Sequence, residues 1–278
     1  MQLNFAQCFL LLLTPIAPLV VSTPSLAATL GSSEATVNLN NFSHNPLDVL
    51  TLTDTFTDTF ATDGQVNADA NAVANFITNP PISANNSSLS RVNGNGSAYS
   101  GSAESIAAVI GYDFSVNQGE TFSFNFDADL NLRTSIDNPQ IEAANATGKI
   151  TLELYDTTNQ NNWLYLDSFT LSGNLTSLGD NDYLNYDTSN SIRLNPSGMI
   201  DTSFGGKQEN ANTSVQGNFS RTFDSLTTLT LVEVKNNQAS VSVPEPSSFL
   251  GLFLGVIGVG YRITSKAISS RSAEKLKQ

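Results

Sequence analysis

The chain predicts a mainly β protein, an antiparallel β-sandwich of jelly-roll type, with a separate segment at each end. Three observations lead there. From Thr121 to Leu132 every even position is apolar and every odd one polar, the period of a strand with one buried face. Runs of similar character recur along residues 28–243, divided by turn signals such as Asn117-Gln118-Gly119 and Asn195-Pro196-Ser197-Gly198. Strands at regular spacing without repeated helices favour two packed sheets. Finally, Asn, Ser and Thr number 31, 34 and 27 of 278 residues while only 13% are charged, so the wet faces must be built from neutral polar groups. At 40% hydrophobic residues the chain has enough apolar mass for a core.

The elements follow in order. Residues 1–27 hold an apolar run from Phe9 to Val21 that ends in Ser25-Leu26-Ala27, small residues at the positions a signal peptidase reads. This predicts a secretory signal peptide cleaved after Ala27. Cys8, the single cysteine, lies inside it, so the exported chain has no thiol with which to form a disulfide. Leu47 to Phe60 carries the duplication Thr53-Asp54-Thr55-Phe56 and Thr57-Asp58-Thr59-Phe60 and reads as an edge strand. Val66, Ala70, Val73, Ala74 and Ile77 fall at helical spacing, with Asp63 as a cap and Pro80-Pro81 as a stop, which predicts a short helix. Residues 79–104, rich in Asn, Gly and Ser, read as a flexible loop. Ile106–Val116, Thr121–Leu132, Ile150–Leu154, Trp163–Leu171, Val215–Phe223 and Leu226–Val234 supply further strands.

Residues 244–278 have a different character. Pro244-Glu245-Pro246 precedes an apolar run from Phe249 to Tyr261, after which come Arg262, Lys266, Arg271, Lys275 and Lys277. As a helix the run spans ~20 Å, and extending it to 247–263 with snorkelling cations brings it towards the ~30 Å hydrocarbon core. The basic end would lie in the cytoplasm and the body outside. Residues 28–243 carry 7 basic and 23 acidic side chains, and the tail 5 basic and 2 acidic, so an anionic body is joined to a cationic anchor.

This order of parts resembles the PEP-CTERM sorting signal of bacterial exported proteins, over residues 243–278. The resemblance implies Pro244, Glu245 and Pro246 as recognition residues for an exosortase, a membrane protease-transpeptidase. It also implies an address at the cell envelope or extracellular matrix, in association with extracellular polysaccharide.

Composition excludes several chemistries. A net charge of -13 leaves nothing to neutralise phosphates, which argues against nucleic acid. One Cys and one His cannot build the usual zinc sites. His44 would have to serve any Ser-His-Asp hydrolase, and no Gly-x-Ser-x-Gly turn accompanies it. Calcium is the one metal the residues suit: Asp180, Asp182, Asn185 and Asp187 offer hard oxygen donors in one short stretch. For carbohydrate, Trp163 and Tyr165 are the stacking candidates, two apart in a strand, against the plainer reading that they fill the core with Phe169 and Leu171. The sequence therefore predicts a non-enzymatic structural or adhesive protein that needs no cofactor. The alternative is a secreted glycoside hydrolase, which would need two carboxylates ~5 to 10 Å apart.

Overall fold

A computed structural model describes residues 27–244 except 178, 180 and 196–199. All eleven of its strands run antiparallel to their neighbours. They are β1 (Ala27–Asn40), β2 (Asp48–Ile77), β3 (Ser83–Val116), β4 (Thr121–Ser135), β5 (Ala143–Asp156), β6 (Leu164–Thr176), β7 (Tyr183–Thr188), β8 (Ile192–Leu194), β9 (Ile200–Ser203), β10 (Gln208–Thr222) and β11 (Thr227–Val243). Along the sheet the order is β7-β6-β5-β11-β3-β1-β4-β10-β8, with β2 on β3 and β9 on β10.

The long hairpin of β2 and β3 organises the molecule. The first half of β3 pairs with β1 and its second half with β11, while β2 follows β3 along nearly its whole length. Between the halves the register slips around Ala61–Gly64, and Gly64 faces Gly96. Both glycines have positive φ, 128° and 138°. A Cβ on Gly96 would meet the Gly64 backbone and lie 2.5 Å from the Asp63 carbonyl oxygen. Only glycine permits so close a crossing with that backbone. Here the hairpin folds over, and the single sheet becomes two facing halves. One comprises β1, β4, β10, β8 and β9; the other comprises β11, β5, β6 and β7.

The interior is apolar at both ends and polar in the middle. The larger apolar cluster holds Phe114, Phe122, Phe126, Phe169 and Phe219 with Leu130, Leu132, Leu152 and Leu154. Phe126 of β4 meets Phe169 of β6 at a centroid distance of 4.8 Å, so the ring contact spans the two halves. A second cluster near the bend contains Val92, Tyr99, Ala103, Ile136, Ala144, Val241 and Val243. Between them lie Ser33, Asn86, Ser88, Ser90, Ser105, Glu233, Lys235 and Asn237, each no more than 1% exposed. Asn237 ties much of this belt together. Its Oδ1 accepts from Ser33 Oγ at 2.9 Å, and its Nδ2 donates to Ser88 O and Oγ at 2.8 and 2.7 Å. A buried belt of this kind is tolerable because most of its polar groups find partners, Oδ1 of Asn86 being an exception.

Two expectations need correction. Residues 66–77 are strand, not helix. Val66, Ala68, Ala70, Ala72, Ala74 and Phe76 alternate inward as β2 pairs β3, whereas Val73 and Ile77 point to solvent. Helical spacing fitted those residues only because alanine occurs at both periods, and a waiting partner strand outweighs a weak helix propensity. Residues 79–104 are not a flexible loop either, for Ser83 onward belongs to β3. Small polar residues read as loop, but here they face inward in the shallow space beside the bend. The expected edge strand at 47–60 is present as the start of β2. Among the described residues no helix is long and apolar enough to cross a membrane. Of the expected signal peptide 1–27 all but Ala27, the first residue of β1, lies outside the described residues, as does the apolar helix expected at 247–263.

Candidate functional site

The strongest candidate lies on the outer face of the half formed by β11, β5 and β6. On β5 the odd residues Glu153 and Tyr155 face outward while Leu152 and Leu154 are buried. The partner strand β6 would ordinarily place Tyr165 on the same side as Phe169 and Leu171. A register slip prevents this. Leu154 pairs with Asp167 but Tyr155 pairs with Tyr165, so Leu166 is an extra residue and Tyr165 turns outward. Tyr165 is 51% exposed, whereas Phe169 and Leu171 are buried. Thus Tyr165 is not part of the core expected for it.

Three rings meet there. Tyr155 lies 6.0 Å from Trp163 and 5.9 Å, edge-on, from Tyr165. Beneath them Ile110, Tyr112 and Val232 form a small buried cluster on the sheet surface, with Leu50 and Val234 at its margin. Two hydroxyls are anchored: Tyr155 donates to Glu153 Oε2 at 2.6 Å, and Tyr165 donates to Ser168 Oγ. Burial, reinforced by the bond to Glu153, pushes the Tyr155 phenol well above its ordinary range, so it stays protonated. Beside the rings runs the β5–β6 turn, Thr158 to Asn162, exposed throughout and rich in amides. Its shape is set internally: Asn161 N donates to Asn159 Oδ1 at 3.1 Å and Asn162 N to Asn159 O at 3.0 Å. Gln160 and Asn161 in this turn are exposed, two to three residues before Trp163 in the chain. Ring faces beside amide donors and acceptors suit a polyhydroxylated ligand, whose C–H faces stack and whose hydroxyls hydrogen-bond. Tyr155 escaped notice in the sequence, although its parity with Glu153 on a strand with Leu152 and Leu154 inward marks it as outward-facing.

The other candidates are arranged differently. Asp180 lies outside the described residues. Asp182 turns its Oδ1 back to Thr176, accepting from N at 2.8 Å and Oγ1 at 3.1 Å. Asn185 and Asp187 lie two apart along β7, and Asp187 Oδ1 accepts from the Thr188 N–H at 3.0 Å. Among the described residues no group of three or more His, Cys, Asp or Glu side chains is placed to hold a metal ion. His44 bridges Ser43, whose Oγ lies 2.8 Å from Nδ1, and Glu120, whose Oε2 lies 3.2 Å from Nε2. The row has the residue types of a hydrolytic relay, but it sits in an exposed turn and its serine is occupied elsewhere. Ser43 Oγ accepts from Ser123 N at 2.8 Å, so it fastens the β1–β2 connection to β4. Asn117 N and Nδ2 both donate to Glu120, and these bonds hold its carboxyl below the usual range. Pro244 is exposed at the end of β11, while Glu245 and Pro246 lie outside the described residues. No protein-family profile, characterised protein or solved structure matches the chain.

Proposed function

We propose that this is an exported envelope or extracellular-matrix protein whose β domain binds polysaccharide without hydrolysing it. The observation that carries the reading is the Tyr155–Trp163–Tyr165 surface, with the amide-rich turn 158–162 preceding it in the chain. Export and sorting rest on the terminal segments. The first strand begins at Ala27 and the last ends at Val243. Cleavage by signal peptidase after Ala27 would therefore remove only the first residue of β1, and processing by an exosortase at Pro244-Glu245-Pro246 would leave β11 whole. The apolar helix at 247–263 would hold unprocessed protein in the membrane, with the body outside. Processing would release it to the cell surface or matrix.

Affinity electrophoresis through gels containing soluble polysaccharides tests the binding. The chain should be retarded by at least one glycan, and Trp163→Ala or Tyr165→Ala should weaken retention about tenfold, equivalent to ~1.4 kcal/mol. The same glycan should yield no new reducing ends. Equal retention of wild type and both variants would reject the platform, and product release would reject the non-enzymatic reading.

A further inference from the structure

The polar belt in the interior contains a group that the proposed glycan binding does not use. Glu233 and Lys235 lie two apart on β11, and Asn86 projects from β3 on the opposite side of the interior. Glu233 and Lys235 have no exposed surface and Asn86 has 1%. Lys235 Nζ donates to Glu233 Oε1 at 2.6 Å, and Asn86 Nδ2 donates to Glu233 Oε2. One carboxyl group therefore holds an amine on one oxygen and a carboxamide on the other. The Oδ1 atom of Asn86 is buried without a hydrogen-bond partner. Asn237, the other nearby amide, is committed at both ends to Ser33 and Ser88. Asn86 is thus the amide left available.

We propose that Lys235 and Asn86 form an intramolecular isopeptide bond, with Glu233 as the catalytic proton carrier. The neutral amine of Lys235 attacks Cγ of Asn86 and forms the Nζ–Cγ bond. Glu233 takes a proton from the attacking nitrogen and delivers one to Nδ2. The Cγ–Nδ2 bond breaks, ammonia leaves, and a secondary amide remains. Glu233 ends as it began, and no oxidant or further reactant is consumed. To reach Cγ the amine leaves Oε1 through torsions of its flexible four-carbon stem. Turning the Asn86 amide over before attack places Oδ1 against Glu233, where a protonated carboxyl donates to it and polarises the carbonyl, and rotation back about Cβ–Cγ before the bond breaks presents Nδ2 to the same carboxyl.

The surroundings favour this chemistry. Burial pushes the Glu233 carboxyl up and the Lys235 amine down, each towards its neutral form, against the attraction between them. An unprotonated lysine is the nucleophile and a protonated acid the donor. Glu233, Lys235 and Asn86 have almost no exposed surface, which keeps bulk water from the amide. The product also suits the location, because it replaces a costly buried ionisable pair by one neutral amide beside the acid. It would join β3 to β11 through the interior, a covalent staple in an exported domain whose only cysteine lies in the signal segment.

Peptide mapping of the folded full-length chain decides the matter. Trypsin should fail to cleave after Lys235, and a branched peptide should join the segments holding Asn86 and Lys235, about 17 Da lighter than their sum through loss of ammonia. Glu233→Gln should abolish the branch. Asn86→Asp should restore one lighter by about 18 Da, since water then leaves. Ordinary cleavage after Lys235 with no branched peptide in the wild type would overturn the proposal and leave a buried ion pair. That result stands alone if a variant fails to fold. A full yield of branched peptide in folded Glu233→Gln would overturn the role given to Glu233.

Discussion

At the scale of single residues, burial and partner decide what each ionisable group does. Glu209 is 4% exposed. Its Oε2 accepts from Thr134 Oγ1 at 2.7 Å and its Oε1 from Gly205 N at 3.0 Å, closing the turn between β9 and β10. Burial, with the Asp182 carboxylate nearby, raises its pKa above 4.5. A carboxyl raised on folding keeps its proton in the native chain where the unfolded chain has lost it. Stability therefore falls as pH climbs from the unfolded value through the raised native one. Glu233 contributes in the same direction, so the diagnostic quantity is the change in slope. Denaturant midpoints measured from about pH 4 to about pH 7 should fall less steeply in Glu209→Gln than in wild type. Parallel slopes would show that Glu209 titrates alike in both states. Asp167 is a buried acid paired with Arg221 at 2.7 Å and Ser189 at 2.8 Å, and the ion pair ties β6 to β10 across the facing halves.

At the scale of elements, legibility followed the size of the inward side chains. In β4 the alternation named Phe122, Phe124, Phe126, Ala128, Leu130 and Leu132 as buried, and all six are. In the first half of β3 the inward positions are Ala84, Asn86, Ser88, Ser90, Val92 and Gly94. A hydrophobicity pattern is weak there, because half of that face, Asn86, Ser88 and Ser90, lines the polar belt. Strand β11 did carry a clue. Glu233 and Lys235 share the parity of Leu229 and Leu231, so a charged pair at inward positions was readable in principle. The aromatic site was half legible: Trp163 and Tyr165 stood out by type, but the bulge at Leu166 that separates Tyr165 from Phe169 depends on pairing with β5. The fold-over at Gly64 and Gly96 makes a prediction at this scale. Gly96→Ala should cost more than about 2 kcal/mol, since it adds a backbone clash to an unfavourable φ. Gly119→Ala is the comparison, because Gly119 has a positive φ of 80° and nothing within 4 Å of a new Cβ, so only about 1–2 kcal/mol is at stake. Equal losses in thermal or denaturant unfolding would mean that the close crossing is unimportant.

At the scale of the whole molecule, the tasks proposed for the β domain and for the terminal segments are separate. The domain runs from Ala27 to Val243, and its 7 basic and 23 acidic residues give it a strongly negative surface. The cationic tail at 244–278 is the proposed means of holding such a body at a membrane whose inner leaflet is anionic. Deleting 244–278 should move the protein from the membrane fraction to the soluble extracytoplasmic or culture fraction, without changing the denaturant midpoint of the domain. Continued membrane association of the truncated chain would reject the anchor.

The residue pattern is enough to specify the β character, the surface rich in Asn, Ser and Thr, and the faces of those strands whose inward residues are large and apolar. These are local properties, because alternation along one strand requires no knowledge of its partner. Tertiary structure alone decided that β2 and β3 form one folded hairpin shared by both halves, and that Tyr155 joins Trp163 and Tyr165. It alone set Lys235, Glu233 and Asn86 against one another. Each depends on which distant backbone supplies hydrogen bonds and in what register, and small or polar side chains record neither.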